Sequence, residues 1–152
     1  MDNTRMISSF LENEHKRYSA KLSEIVADLR GGSFNREALR ELESDVKCHI
    51  YVEETLLFPR FSYESRRELN GLEMEHGAIW KLFEIIEKAF LNGDIDLALR
   101  RSESLGRVFN AHSTAEENLA YKELDSMSGS NFDFLSVKKA PYGWVCRILR
   151  KE

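Results

Sequence analysis

Residues 35–59 form one long amphipathic segment that reads NREALRELESDVKCHIYVEETLLFP. Asn35 is a residue type that caps helix N-termini, and Pro59 is one that helix interiors exclude. Between them, the inward residues recur at the three- and four-residue steps of an α-helix. These inward positions are Leu39, Leu42, Val46, His49, Glu53 and Leu56. The segment therefore predicts a long helix whose inner face carries a histidine and a glutamate among apolar residues.

The same period occurs three more times before residue 126. The inward positions of the first helix are Ile7, Leu11, His15, Tyr18, Leu22, Ile25 and Leu29. Those of the third helix are Leu69, Leu72, His76, Ile79, Phe83, Ile86 and Phe90. Those of the fourth are Ala98, Arg101, Leu105, Val108, His112, Ala115 and Leu119. Long helices joined by short turns are typical of an antiparallel, up-down-up-down four-helix bundle, so we predict an all-α fold.

The predicted helix boundaries follow from residues that start or stop helices. Gly31-Gly32 and Asn92-Gly93 end the first and third helices, since glycine suits the conformation at a helix C-terminus. Asp94 is the predicted N-cap of the fourth helix. Ser65 and Glu68 have the spacing of a capping box, in which each side chain bonds the backbone N–H of the other.

Composition and charge restrict the class of protein. The 152 residues carry a net charge of −4, which argues against a nucleic-acid partner because such proteins usually present a basic surface. No apolar stretch has the length of a membrane span, and the polar start lacks the apolar region of a secretory signal. The only two cysteines, Cys48 and Cys146, form no close pair. We therefore expect a cytoplasmic protein with no membrane partner.

Two units are expected along the chain. Residues 1–126 form the bundle, and residues 127–152 form an irregular C-terminal tail with aromatic segments at 131–135 and 141–146. Isolated aromatic side chains tend to be buried, which favours a tail that folds back over the bundle. The alternative is a segment that docks a partner or a second subunit of a homo-oligomer.

The four histidines of the chain lie on inward positions of four different helices. They are His15, His49, His76 and His112. Counting residues from the predicted turns places all four at one height in an antiparallel bundle, within about 3 Å. Two glutamates reach the same level, because Glu53 and Glu116 each lie one turn after a histidine of their own helix. An unpaired inward glutamate is costly, whereas one that contacts cations is not.

These side chains favour a metal site. Four imidazoles with two carboxylates suit a borderline metal, and two-metal sites in helical bundles are built from such groups. A single zinc ion needs about four ligands, so six convergent donors favour a pair of ions. For Glu54 and Glu117, which directly follow the two inward glutamates, a solvated position is the preferred interpretation. Cys48 lies off the face of His49 and is expected to be a plain buried thiol.

The arrangement resembles the hemerythrin-like HHE cation-binding domains. Their pattern is a lone His on the first helix, His-x-x-x-Glu on the second, His-x-x-x-His or His-x-x-x-Glu on the third, and His followed by a carboxylate on the fourth. The matching positions are His15, His49 with Glu53, His76, and His112 with Glu116. The resemblance covers about residues 5–125 and includes the Glu-Glu-x-x-Leu-Phe-Pro run at residues 53–59.

The resemblance implies a non-heme di-iron centre bridged by Glu53 and Glu116. The histidines of the first two helices would hold one iron, and those of the last two helices the other. If the fourth helix follows the His-x-x-x-x-Asp form, Glu117 would replace Glu116; we prefer Glu116 because it lies on the face of His112. The implied role is to bind or sense O₂, NO or another small ligand, or to handle iron.

One position departs from the family pattern. The second ligand of the third helix is expected at residue 80, which is Trp80, and tryptophan offers no lone pair to a metal. Three outcomes stay open: water takes the position, Glu73 takes it, or the second iron binds weakly and the protein is mononuclear. Gly77, beside His76, either leaves room for a ligand or only allows close packing.

Two other classes of function stay open at this point. A di-iron enzyme that reduces O₂, peroxide or NO would use an open iron position. A structural or interaction bundle would use the aromatic tail as its contact surface and would need no metal. The convergence of histidines and glutamates favours a metal-binding protein, and binding without catalysis is preferred over an enzyme.

Overall fold

Four long helices account for most of the structure, a computed structural model that describes residues 3–126 and 136–150. The helices are α1 (Asn3–Arg30), α2 (Arg36–Val52), α3 (Arg66–Leu91) and α4 (Ile95–Ser126). Shorter turns are a π-turn at Glu53–Leu57 and 3₁₀ turns at Phe58–Arg60, Tyr63–Ser65 and Arg147–Leu149. No strand occurs in these two ranges, and the all-α prediction is confirmed. The predicted linker after residue 126 and the aromatic segment 131–135 lie outside the described residues.

Each helix packs on two others. α1 contacts α2 and α4, and α3 contacts the same two helices, so the four form a closed ring around one core. The short connections between successive helices favour antiparallel neighbours, as in an up-down-up-down bundle. Within the described residues, no helix is both long and apolar enough to cross a membrane.

The helix ends are built largely as predicted. The side chains of Asn35 and Asp94 each accept a hydrogen bond from the backbone N–H three residues later, at 3.0 and 3.1 Å. Gly32 and Gly93 have φ angles of 87° and 67°, a region in which other residues are strained. These local signals set where α2 and α4 begin and where the chain turns after α1 and α3.

The predicted capping box before α3 is wrong. Ser65 makes no side-chain cap bond, and its hydroxyl donates instead to the carboxylate of Glu123 in α4. The 3₁₀ turn that precedes α3 holds Ser65 at φ −83° and ψ −2°. An N-cap side chain reaches back to its helix from a β-region backbone, which this turn prevents. Glu68 is exposed, and the start of α3 is therefore fixed by a tertiary contact.

Substitutions distinguish these two modes of fixing the helix start. We expect S65A to lower the free energy of unfolding by about 1.5 kcal/mol, because it removes a hydrogen bond to a charged group. E68A should lower it by less than ~0.5 kcal/mol, as for other exposed positions. Urea unfolding of both variants measures the difference. Equal losses in the two variants would support the capping box after all.

The inward faces of α1 and α3 are buried as predicted, whereas α4 turns a partly different face to the core from the one predicted. Arg101 and Leu119, both predicted inward, are exposed, whereas Phe109 is buried instead and Glu116 is buried as expected of an inner ligand. Three- and four-residue steps from His112 define two neighbouring rows on the helix surface, and periodicity alone does not separate them. The row that faces the core is the one that contains Glu116.

The π-turn changes the register at the end of α2. Leu56 was predicted inward, but it is half-buried, and Leu57 is buried in its place. A π-turn adds about one residue to a helical turn and so shifts everything that follows it by one position. As a result, Glu53 and Glu54 are both buried, although they are consecutive.

Two apolar clusters lie along the core, one on each side of the histidine level. One contains Ile25, Phe83 and Leu105 with their neighbours. The other contains Leu11, Leu72, Leu124 and the side chains around them. Along α1 and α3 the histidines follow members of the second cluster and precede members of the first. The polar layer is thus enclosed above and below by close-packed apolar side chains.

The described part of the tail lies against α2 and α3. The Trp144 ring lies 5.1 Å from that of Tyr51 and 5.8 Å from that of Trp80, and Cys146 is fully buried. A Cβ atom at Gly77 would overlap the side chain of Ile148. Of the two roles considered for Gly77, close packing is therefore the one that the structure supports.

Candidate metal centre

Four histidines and two glutamates meet in the core of the bundle. They are His15, His49, Glu53, His76, His112 and Glu116, and all six are buried. Each of the four helices brings one histidine to this level. Glu53 opens the π-turn and Glu116 lies one turn after His112. The structure thus brings together every side chain that the sequence predicted as a metal ligand.

The six residues form two overlapping groups that can each hold a metal ion. One group is His15, His49, Glu53 and Glu116, and the other is Glu53, His76, His112 and Glu116. Within each group, one donor atom per residue lies within 4.8 Å of the others. We call them the α1/α2 group and the α3/α4 group after the helices of their histidines. The two groups share both glutamates.

Each shared glutamate offers one oxygen to each group. Glu53 places Oε2 at 3.3 Å from His49 Nε2 and Oε1 at 3.2 Å from His76 Nε2. Glu116 places Oε1 at 3.0 Å from His15 Nε2 and Oε2 at 3.1 Å from His112 Nε2. A carboxylate placed in this way could bridge two metal ions, one in each group.

A second carboxylate lies at the outer nitrogen of each histidine. The Nδ1 contacts are His15 with Glu117 at 3.0 Å, His49 with Glu14 at 2.8 Å, His76 with Glu54 at 2.6 Å, and His112 with Glu75 at 2.8 Å. Three of these glutamates come from the helix adjacent to that of their histidine, and Glu54 comes from the π-turn that follows α2, so the four contacts run around the bundle. A carboxylate at Nδ1 holds the proton there and leaves the Nε2 lone pair for a metal.

The inner surface of the site is consequently rich in electron pairs. His15 Nε2 lies 3.1 Å from His49 Nε2, and both nitrogens face the shared carboxylates. Glu116 Oε2 is buried and makes no hydrogen bond of acceptable geometry, even though His112 Nε2 is near. Such a cluster of acceptors is costly unless cations lie between them. The donor set therefore fits a pair of borderline metal ions.

The solvated interpretation is wrong for Glu54 and holds only in part for Glu117. Glu54 is buried and binds His76, because the π-turn directs it inward beside Glu53. Glu117 is half-buried and contacts Nδ1 of His15, not the inner side. The preference for Glu116 over Glu117 at the inner position agrees with this geometry.

Glu14 and Glu75 were not singled out from the sequence. Both directly precede a histidine in their own helix, and each contacts the histidine of the next helix. A glutamate adjacent in sequence to an inward donor is thus the signal that all four outer carboxylates share. Charged residues flank many helix faces, however, and the signal becomes specific only once the helices are packed.

Tyr121 is a further residue of the site that sequence reasoning missed. Its hydroxyl lies 2.9 Å from Glu53 Oε2 and 2.9 Å from Glu116 Oε1, and 3.2 Å from His15 Nε2. Burial, and after it the two carboxylates, raise the pKa of Tyr121 well above its ordinary value. The hydroxyl thus keeps its proton and donates it to one carboxylate at a time. Its position five residues after Glu116, on the inner face of α4, is the signal that was available.

Trp80 and Glu73 both lie near α3's part of the site without joining either group. Trp80 is buried, packs against Trp144, and has the Lys47 ammonium 4.5 Å above its ring. Glu73 is buried and forms an ion pair with Arg147 of the tail. Of the three outcomes for the missing ligand, recruitment of Glu73 is therefore the one that this geometry disfavours.

The histidines and carboxylates of the site shift one another's pKa values. Burial lowers the pKa of His49 and His76, but the neighbouring carboxylates outweigh burial and hold both pKa values well above the ordinary value. Burial likewise raises the pKa of Glu116, yet His112 and the other histidines outweigh it and hold that pKa well below its usual range. The raised pKa values of His49 and His76 thus favour protons on these two imidazoles, which balance the carboxylates of the metal-free site.

Comparison with known proteins agrees with this site. Residues 6–130 match the sequence profile of the family described as the Hemerythrin HHE cation binding domain. The matched range contains all six inner residues and all four outer carboxylates. Parallel comparisons with curated proteins and with solved structures found no match.

Proposed function

Because the chain belongs to the hemerythrin HHE cation-binding family, we propose that it is a non-heme di-iron protein that binds both ions in the bundle core. The observation that carries the proposal is the division of each shared carboxylate between the two groups. Glu53 and Glu116 each have one oxygen beside a histidine of either group. Two imidazoles and two bridging carboxylates per ion suit iron among the borderline metals.

Iron, when bound, supplies a redox-active ion that can take O₂, NO or another small ligand. The chain's own residues hold the site ready for it. The outer carboxylates fix the orientation of the four imidazoles, and the two apolar clusters limit the access of water. Tyr121 keeps a proton beside both shared carboxylates. Trp80 stands where the family pattern has a ligand, so the α3/α4 group has one protein donor fewer than that pattern, and we propose that an exogenous ligand takes the open position.

We further propose that the protein binds or senses such a ligand, or handles iron, in a reducing cytoplasmic setting. The two cysteines, Cys48 and Cys146, are both buried and unpaired, which favours a reducing compartment. A di-iron enzyme that reduces O₂, peroxide or NO, and a mononuclear protein, are the alternatives that the experiment below separates.

Metal analysis of protein purified without added chelator tests this proposal. We expect close to two iron ions per chain and an oxo–iron charge-transfer band in air that reductant bleaches. Steady consumption of O₂, peroxide or NO by the reduced protein would favour the enzyme. One iron per chain would favour the mononuclear form, and stoichiometric zinc without iron would refute the di-iron proposal.

The stabilisation by metal is expected to increase with pH. The raised pKa values of His49 and His76 contribute stability to the metal-free fold below about pH 6.5, the unfolded value. This contribution is lost as the pH rises through the folded values, whereas metal binds better because its imidazole ligands are unprotonated. Calorimetric Tm values of loaded and metal-free protein should thus diverge above about pH 6.5. A constant difference from acid to alkaline pH would be evidence against metal on these histidines.

A further inference from the structure

The C-terminal segment, residues 136–150, reaches the α3/α4 group through a hydrogen bond. The backbone N–H of Arg147 donates to Glu54 Oε1 at 2.8 Å. The other oxygen of the same carboxylate, Oε2, lies 2.6 Å from His76 Nδ1. Two hydrogen bonds therefore connect the tail backbone to an imidazole whose Nε2 faces the shared carboxylates.

The side chain of Arg147 strengthens this connection. Its guanidinium pairs with Glu73, one turn before His76, and donates to Asn70 Oδ1 at 3.2 Å. Arg147 thus contacts two buried carboxylates that flank His76, one from the π-turn and one from α3. Cys146, directly before it, is fully buried, so the backbone of this segment is held close to the bundle.

Glu54 differs from the other three outer carboxylates in its exposure. Its side chain is 2% exposed, whereas those of Glu14, Glu117 and Glu75 are 15%, 33% and 41% exposed. Water can solvate and orient the other three. A buried carboxylate needs protein donors instead, and the Arg147 N–H is one of them. The orientation of Glu54 therefore depends on whether the C-terminal segment is docked.

We propose that Arg147 is a positioning residue for His76, and that docking of the C-terminal segment and metal binding by the α3/α4 group favour each other. The proposal rests on the metal-binding function proposed above. Carboxylates behind metal-bound histidines typically change metal affinity by about 10- to 100-fold. Since coupling between two sites is reciprocal, bound metal should in turn hold the segment on the bundle.

Three arginine variants separate the backbone bond from the side chain. R147P removes both the N–H and the guanidinium, and R147A removes only the guanidinium. Proline is tolerated here because Arg147 is the first residue of a 3₁₀ turn and Cys146 has ψ 150°. R150A is the matched control, since Arg150 bonds the Val145 carbonyl and contacts Trp144, both within the same segment.

Anaerobic titration of each metal-free variant with Fe(II) measures the effect. We expect R147P to bind its second equivalent of Fe(II) about tenfold more weakly than the unaltered protein, with R147A weakened less and R150A unchanged. Circular dichroism verifies that each variant is folded. Two equivalents bound by R147P with unaltered affinity would overturn the inference and leave the di-iron proposal intact. If the unaltered protein binds no Fe(II), both proposals fail.

The reverse effect is measured without changing Arg147. In a C48S background, Cys146 is the remaining thiol, and its alkylation by iodoacetamide reports release of the segment. We expect Fe(II) to slow this alkylation at least fivefold. At saturating Fe(II), E54A should abolish the protection because it breaks the connection to His76, whereas E117A, which removes the carboxylate at His15, should preserve it. Equal protection in the E54A and E117A proteins would overturn the proposal even if R147P does not fold.

Discussion

E116Q is expected to reduce the bound iron from two ions to at most one per chain. Glu116 is fully buried, and its two oxygens lie beside histidines of both groups. Glutamine keeps the shape of the side chain but removes the negative charge, and an amide cannot bridge two cations as a carboxylate does. Both groups therefore lose a shared donor through one substitution.

The adjacent glutamate provides the control for this experiment. E117Q changes the same functional group one residue away, where the carboxylate contacts only the outer nitrogen of His15. We expect it to retain both ions with an affinity lowered by about tenfold. Iron content is measured by elemental analysis after gel filtration of each variant loaded under the same conditions. Retention of two ions by E116Q would show that Glu116 is not a bridging ligand.

Removal of iron by a chelator is expected to lower the Tm by roughly 10 °C. A ligand present at about a thousand times its Kd stabilises the folded state by about 4 kcal/mol. For a chain of this size, each kcal/mol shifts Tm by roughly 2–4 °C. Removing the ions also leaves the Nε2 atoms of His15 and His49 at 3.1 Å from each other with no cation between them.

Calorimetry with and without chelator measures this shift. The E116Q variant should show a much smaller one, since it has lost most of its metal before the chelator is added. An identical Tm for the unaltered protein under both conditions would instead favour a purely structural bundle. In that case the buried histidines and glutamates would be balanced by protons alone.

The parts of the fold that could be predicted are those that local sequence determines. The faces of α1 and α3 follow a strict period, and the caps at Asn35 and Asp94 need only a side chain and a backbone N–H three residues away. Because proline is absent from the four long helices, residue counting measured height along the bundle. The convergence of the four histidines with Glu53 and Glu116 followed from that counting.

The parts that could not be predicted depend on contacts between helices. The two possible rows of α4 share His112, and only packing decides that the row with Glu116 and Phe109 faces inward. The π-turn that directs both Glu53 and Glu54 inward follows from no local pattern in the sequence. Ser65 prefers Glu123 of a distant helix to its own helix start.

Two of the outer carboxylates of the site were missed for the same reason. Glu14 and Glu75 each serve a histidine of another helix, so no spacing within one helix reveals them. Tyr121 was missed because it lies on the face of α4 that the sequence period did not assign to the core. The contact of Arg147 with Glu54 joins residues far apart in the chain and lies outside any helical period.

Diffraction from crystals of the iron-loaded protein, recorded at the iron absorption edge, tests the central claim most directly. We predict two anomalous peaks about 3.5–4 Å apart, the usual separation in two-metal sites, with Glu53 and Glu116 lying between them. His15 and His49 should flank one peak, with the remaining two histidines beside the other. A single peak, or iron away from the two shared glutamates, would contradict a di-iron centre in this bundle.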